Sequence, residues 1–233
     1  ARLTDPAALS AIMGSRLFQS VGSDRFTYLH RRVAEFLGAR WLANKANTSA
    51  LRRRLLGVIQ RPGGVPAALR GLHAWLAMDP ALTESVIGAD PMGLVEYGDP
   101  DRLSLLQAKR LLAELERLAQ ANPTFLHGDE FRVRSFLRPE LHNDLQRLIT
   151  CSDTPFGLRL LILQTLRAES VGSIFLAALK SIALDASEPY AYRSAAHHAW
   201  MTASPGEDWS AVVNGLRAAN DEGSLRLALE VIE

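Results

Sequence analysis

The side chains best suited to chemistry in this sequence are its histidines and its lone cysteine. The adjacent pair His197-His198 lacks the four-residue spacing with which two helical histidines share a metal ion, and no second Cys/His cluster joins it. Cys151 has only His142, nine residues earlier, as a local partner, so no Ser-His-Asp or Cys-His arrangement can be argued. The sequence predicts that this chain has no catalytic site, no metal and no cofactor of its own.

Two arginine clusters could contact phosphate groups. The run of three arginines at 52–54 lies in a predicted helix, where consecutive side chains point in three directions, so a solvated or interdomain role is favoured. The other cluster alternates with phenylalanines and could form a nucleic-acid stripe; it comprises Arg132, Arg134 and Arg138. Because the chain carries 26 basic and 25 acidic side chains, no bulk field recruits nucleic acid or membrane, and we expect neither as a partner.

Charged residues also recur at regular spacing in the C-terminal part of the chain. Three arginines lie 34 and 33 residues apart, and each follows an acidic turn residue. A carboxylate at a helix N-terminus can cap free amides, and an arginine one turn later can pair with the carboxylate of the preceding repeat. We expect this ladder to fix how the repeats stack; its members are Asp153, Arg159, Asp185, Arg193, Asp221 and Arg226.

The elements that carry these residues are predicted to be helical. The period of the ladder, with a helix before and after each turn, predicts helical hairpins at 139–168, 172–203 and 207–233 and resembles HEAT repeats. Between 49 and 122, breaks rich in Pro and Gly separate shorter helices, the clearest of which is 101–121. The predicted fold class is all-α, a HEAT-like superhelix of helical hairpins.

The N-terminal part is predicted to contain a β-hairpin between two helices, unlike the helical hairpins of the C-terminal part. A helix is predicted over 6–17, then a short β-hairpin around Gly22-Ser23-Asp24, then a helix that begins at Leu29. At about 100° per residue, His30, Leu37 and Trp41 fall on one side of this last helix, which we predict to be its buried side. Glu35 falls about 140° away from His30, where we expect a surface ion pair with an arginine one turn earlier.

This stretch, from Arg25 to Leu42, resembles the end of the winged-helix domain in NACHT-type signal-transduction NTPases. Arg32, Val33 and Gly38 depart from the residues most common in that family. With the repeats that follow, the resemblance implies a winged-helix end at 1–46, a helical connecting domain at 47–129 and a HEAT-like α-solenoid at 130–233. The positions that carry the resemblance are Phe26 or Tyr28, His30, Val33, Glu35-Phe36, Ala39 and Trp41-Leu42.

The resemblance also implies a role for His30, which would contact the β-phosphate of ADP and help to hold the inactive state. The alternative is a core histidine satisfied by a backbone carbonyl. The chain contains no G-x-x-x-x-G-K-[ST] loop, so it should not hydrolyse ATP, and an upstream domain would hold the nucleotide. Since the first residue is Ala1 and the last residues continue a helical pattern, we expect the chain to be part of a longer one.

The expected function is that of the sensor and autoinhibitory region of a bacterial ATP/ADP switch, with a role in antiphage defence that the resemblance implies. Expected partners are a protein or peptide trigger, the upstream NTPase domain and further copies on activation. The single cysteine indicates a reducing compartment, the cytoplasm, and the sequence has no run of about 18 apolar residues that would span a membrane. Two alternatives stay open: a free-standing HEAT-like scaffold, and a HEAT-like DNA-binding or base-excising protein.

Overall fold

The structure, a computed structural model, describes residues 14, 17–22, 25–122, 133–167, 174–219 and 221–231. Over these residues the protein is helical apart from one two-stranded sheet, which confirms the predicted all-α class with a short β-hairpin. The chain divides into two compact units, Ala1–Asp99 and Pro100–Glu233. The predicted boundaries at residues 46 and 129 stay a prediction, and the helix predicted over 6–17 lies almost wholly outside the described residues.

The predicted hairpin is present in the first unit. Strand β1 is Phe18–Gly22 and strand β2 is Arg25–Tyr28, and they pair antiparallel with Phe18 opposite Tyr28. The register shifts between Ser20 and Gly22, where the Ser20 hydroxyl donates to the Gly22 carbonyl at 3.0 Å. The backbone amide of Leu29 donates to the Leu17 carbonyl at 2.9 Å, so the pairing continues to the start of the first helix.

Five α-helices follow within residues 25–99, all of which are described: α1 Arg31–Lys45, α2 Ser49–Ile59, α3 Arg70–Trp75, α4 Thr83–Ala89 and α5 Pro91–Tyr97. Short 3₁₀ helices, Ala67–Leu69 and Leu76–Met78, flank α3. Thr48 caps α2 by accepting the Leu51 amide at 3.2 Å, and Asp90 caps α5 by accepting the Gly93 amide at 2.8 Å. The predicted Pro- and Gly-rich breaks therefore separate these helices, as expected.

The core of this unit forms where α1, α2 and the segments after them meet. Its fully buried side chains are Ala39, Ile59, Leu76, Leu82 and Val86. Ala39 is the buried residue that α1 contributes, and half-buried leucines of α1 and α2 pack against the cluster. The inward side of α1 is therefore the side that carries Ala39.

The second unit begins with a 3₁₀ helix, Pro100–Arg102, and the long helix α6, Leu105–Ala121. Ser104 and Gln107 form a capping box at the start of α6, and Ala108, Leu111 and Leu115 are buried at helical spacing. Two 3₁₀ helices, Arg134–Leu137 and Pro139–Leu141, follow α6, and residues 123–132 before them lie outside the described part.

Three consecutive helical hairpins complete the second unit, and each lies within the bounds predicted for it. The hairpins are formed by α7 His142–Thr150 with α8 Phe156–Arg167, α9 Leu176–Leu184 with α10 Tyr190–Ala203, and α11 Trp209–Ala218 with α12 Glu222–Glu230. Helices α8 and α12 both pack against α10, so the second helices of the three hairpins stack side by side. Between α11 and α12 the core consists of Val213, Leu216, Leu227 and Ala228.

Candidate functional site

His30 lies immediately before α1, and its side chain is exposed. Its backbone is extended (φ −121°, ψ 128°), and its carbonyl accepts the amides of Val33 and Ala34 at 3.0 and 3.4 Å. The prediction that the helix begins at Leu29 and buries His30 is wrong, because α1 begins at Arg31. The alternative of a core histidine satisfied by a backbone carbonyl is also wrong, because the His30 side chain is exposed.

The two sides of α1 are reversed relative to the prediction. Leu37 is 42% exposed and Trp41 is 60% exposed, whereas Glu35 and Ala39 are buried. The physical reason is the position of the core, which packs on the Ala39 side of the helix. The side of α1 that carries large apolar residues therefore faces outward within this unit.

Glu35 docks α1 onto α3. Its Oε1 accepts from Arg31 Nε at 2.7 Å, and Arg31 Nη2 donates to the Ala68 carbonyl at 3.0 Å. A Cβ atom added to Gly71 would lie 2.1 Å from Glu35 Oε2, so the carboxylate fills the space that the missing side chain leaves. The predicted ion pair with an arginine one turn earlier is present, but its carboxylate is 9% exposed and not at the surface.

A second charged cluster in the first unit was not predicted. Arg70 Nε donates to Asp90 Oδ2 at 2.8 Å, and Arg70 Nη1 lies 2.9 Å from Glu96 Oε2. The hydrogen bond to Asp90 raises the pKa of Arg70, and burial lowers the pKa of nearby His73, which is fully buried. In the sequence, the proline after Asp90 indicates a helix N-cap. No pattern indicates that Arg70, twenty residues earlier, pairs with this carboxylate. This cluster ties α3 to α5.

Two arginines of the predicted ladder occupy equivalent buried positions in the second unit. Arg159 Nε donates to the Ile149 carbonyl at 2.7 Å, and Arg193 Nε donates to the Ala183 carbonyl at 3.1 Å. Both bonds reach back ten residues, to the last turn of the first helix in the same hairpin. The guanidinium group thereby satisfies a carbonyl that the end of that helix leaves free.

Each of these arginines also reaches into the next hairpin. Arg159 donates from both Nη atoms to Glu188, at 2.9 and 2.6 Å. Arg193 Nη1 donates to Asp221 at 3.0 Å, and its Nη2 donates to the Ser224 hydroxyl at 2.6 Å. The prediction that each arginine pairs with the preceding repeat is wrong, because the carboxylate comes from the turn of the following hairpin. The sequence reading also missed Glu188, which lies three residues after the turn aspartate that it selected.

The remaining ladder residues have other contacts. Asp185 accepts the amide and hydroxyl of Ser187 at 2.9 and 2.6 Å, hydrogen bonds that lower its pKa, so it shapes its own turn. Asp153 is an exposed turn residue and pairs with neither buried arginine of the described repeats. Arg226 is exposed and pairs with Glu222 of its own helix at 2.5 Å.

Helix register explains why Arg226 lies outside the ladder. Arg159 and Arg193 are the fourth residues of α8 and α10, whereas Arg226 is the fifth residue of α12, and one position turns a side chain by about 100°. Asp221, by contrast, has the predicted role as a cap: it accepts the Ser224 amide at 2.8 Å and also the Ser224 hydroxyl. These bonds, with Arg193, lower the pKa of Asp221 to about 2.

Glu230 gathers a polar cluster between α10 and α12. The Tyr190 hydroxyl donates to Glu230 Oε1 at 2.6 Å, and the Ser194 hydroxyl donates to it at 3.1 Å. Burial and this carboxylate raise the pKa of Tyr190 to about 12. His198 Nδ1 lies 2.9 Å from the Ser194 carbonyl, so the imidazole is engaged with backbone and does not activate the serine hydroxyl. The arrangement fastens two helices together.

His197 belongs to the core beside this cluster. Its side chain is fully buried, its ring centroid lies 6.0 Å from that of Trp200 and 5.8 Å from that of Trp209, and its Nδ1 lies 3.7 Å from Glu230 Oε2. Burial lowers the pKa of His197. His197 is therefore a packed core residue.

Other candidate features are modest. A shallow cavity of about 190 Å³ lies beside α6 and α7, where Arg147 and Glu116 form a bidentate pair at 3.0 and 3.1 Å. Arg138 donates to the Leu103 carbonyl, so it is engaged internally, and Arg132 of the same predicted stripe lies outside the described residues.

Three further findings concern metal ions, membranes and known proteins. Among the described residues, no group of three or more His, Cys, Asp or Glu side chains is arranged to hold a metal ion. Nor does any helix in the described ranges have the length and apolar character needed to cross a bilayer. Comparison with protein-family models, with curated proteins and with solved structures gives no match.

Proposed function

We propose that the chain is the regulatory helical portion of a NACHT-type ATP/ADP switch, in which it recognises a protein or peptide trigger and restrains the inactive state. The observation that carries this proposal is the exposed His30 at the start of α1, at the position that the resemblance assigns to a phosphate contact. The proposal gives this chain no bond-breaking chemistry, since nucleotide binding and hydrolysis would belong to the upstream domain.

The outward side of α1 supports this role. Leu37 and Trp41 lie four residues apart on one side of α1, and both are exposed large apolar residues. A further domain that covers this side would bury apolar surface and bring its nucleotide to His30. In the described residues the imidazole has no hydrogen-bond partner, so either ring nitrogen is free to meet a phosphate oxygen.

The hairpin stack supports the sensor role. Its arginines join successive hairpins through buried bonds, so the stack can move as a unit when a trigger binds. A trigger that binds the active arrangement more tightly than the inactive one shifts the equilibrium by that difference in affinity. Activated copies would then assemble with one another.

The test uses the intact protein that contains this chain. A His30→Ala variant is expected to release ADP faster and to raise signalling without trigger, because one donor to the phosphate is lost. The control is His30→Gln, whose side-chain amide can still donate a hydrogen bond and should retain most of the ADP. Unchanged ADP retention and signalling in His30→Ala would remove the proposed role, as would the lack of a phosphate-binding loop upstream in the same reading frame.

A further inference from the structure

The segment from Arg25 to Arg61 carries a local excess of positive charge. It contains eight arginines and one lysine, and its single carboxylate is Glu35, which is buried and paired with Arg31. Along the sequence, the next carboxylate is Asp79. Because salt screens charges that are more than about 8–10 Å apart, the near-neutral total of the chain does not describe the field at this segment.

Most cations of this segment have no carboxylate partner among the described residues. Apart from Arg31, none of them forms an ion pair with a carboxylate of the described residues, and Arg52 Nε is buried without a hydrogen-bond partner there. In the second unit, cations are commonly paired with carboxylates; those so paired include Arg110, Arg117, Arg147, Arg159, Lys180, Arg193 and Arg226. Unpaired cations at close spacing repel one another, so an anion bound among them would be stabilised.

Five exposed side chains flank the connection between α1 and α2, and we call them the basic turn: Arg40, Trp41, Lys45, Arg53 and Arg54. At 1.5 Å of rise per residue, all five lie within about 8 Å of that connection along the two helix axes. The Lys45 ammonium lies 5.9 Å from the centroid of the Trp41 ring, which is itself 60% exposed. The Trp41 ring and the Lys45 ammonium are therefore presented close together, and three arginines lie on the adjoining turns of the two helices.

We propose that the basic turn binds single-stranded nucleic acid, with its cations on phosphates and a base stacked on Trp41. Arginine is suited to this role because its planar guanidinium matches phosphate oxygens two at a time. An exposed indole ring stacks on any unpaired base, whereas the bases of a duplex are already covered by their neighbours. The proposal goes beyond the switch function above and applies to the chain with the outward side of α1 uncovered, since a domain that covers Trp41 would exclude a base from it. It revises the expectation against nucleic acid, which rested on the total charge.

The test measures fluorescence anisotropy of labelled single-stranded 20-mers, oligo-dT and oligo-U, with the whole chain. The double variant Arg53→Gln/Arg54→Gln is expected to bind about 25-fold more weakly at 0.1 M salt, because each lost phosphate contact removes a factor of about five through counterion release. Its salt dependence should fall by about 1.4 in log–log slope. Trp41→Ala should weaken binding about tenfold, and Trp41→Phe should restore most of it.

The matched control is Lys109→Gln/Arg217→Gln, which removes the same charge from exposed positions of the second unit and should change affinity less than about twofold. Unchanged urea midpoints would show that all variants fold. No binding below about 10 μM at 0.1 M salt would overturn the proposal. Equal affinity for a 20-bp duplex, or equal competition by polyglutamate, would also overturn it, because either result would point to a general polyanion surface. The assay contains no ATP or ADP, so its outcome is separable from that of the His30 test.

Discussion

Arg193 Nη1 lies 3.0 Å from Asp221 Oδ1, and this bond joins an arginine side chain that is 3% exposed to a carboxylate that is 34% exposed. The arginine is buried in the second hairpin, whereas the carboxylate belongs to the turn that opens α12. If this bond broke, water could hydrogen-bond to the partly exposed carboxylate of Asp221. Water could not reach the buried guanidinium group of Arg193 in the same way. The bond therefore matters more to the second hairpin than to the third.

Replacing Arg193 should destabilise the second unit strongly. Arg193→Ala removes bonds to the Ala183 carbonyl, to Asp221 and to Ser224 and leaves a cavity, so we expect a loss of about 3 kcal/mol in the free energy of unfolding. The matched control is Arg226→Ala, whose exposed pair with Glu222 and contact with the Tyr190 ring, 5.5 Å away, should together contribute about 1 kcal/mol or less. Urea denaturation measures both, and equal losses would contradict the buried bridge.

The capping carboxylate should make stability depend on acid pH. Because the pKa of Asp221 falls from its ordinary 3.8 to about 2 on folding, its charge stabilises the folded state above pH 4, and this contribution is lost as the pH falls from 4 to 2. Asp221→Asn keeps the amide cap without the charge. We expect the variant to melt below the parent chain at pH 5 and to converge with it near pH 2, as followed by circular dichroism; a constant difference would exclude the linkage.

Gly71 should tolerate no side chain while Glu35 keeps its place. In Gly71→Ala, the added Cβ would lie 2.1 Å from Glu35 Oε2, so α1 or the carboxylate must shift, and we expect a loss of about 2 kcal/mol. Gly57→Ala in α2 is the control, since nothing lies within 4 Å of its Cβ, and it should stabilise the helix by about 0.5–1 kcal/mol. Thermal unfolding of the two variants should therefore shift in opposite directions.

His197 should make the second unit sensitive to mild acid. Burial lowers its pKa below the ordinary 6.5, so the unfolded chain takes up a proton first, and the stabilisation present above pH 6.5 is lost as the pH falls below that value. We expect the melting temperature of the parent chain to fall between pH 7 and pH 5. His197→Phe should reduce this fall; an identical fall in the variant would place the titration elsewhere, for example at buried His73.

Local patterns in the sequence predicted the elements well. The proline and glycine breaks and the repeat spacing of Arg159 and Arg193 depend on neighbours along the chain, and the structure confirms the elements built on them. The long-range choices were harder. The inward side of α1 depends on where the other core segments of the first unit pack against it. A helical wheel places Leu37 and Trp41 on one side and so predicts that this side is buried, but the core packs on the side that carries Ala39.

The site residues divide in the same way. The cap role of Asp221 could be predicted, because it involves an amide three residues away. The partner of Arg159 could not, because Asp185 and Glu188 lie in one turn and only its geometry decides which carboxylate reaches the guanidinium group. The roles assigned to His30 through the family resemblance stay predictions.

The direction of the arginine bridges has a consequence for truncation. If proteolysis removed the third hairpin, the Nη atoms of Arg193 would lose Asp221 and Ser224 and face water, whereas its Nε would keep the Ala183 carbonyl within the second hairpin. Loss of the first hairpin would release Glu188 to solvent. The end of α9 should therefore stay capped by the arginine of its own hairpin, whichever neighbouring hairpin is removed.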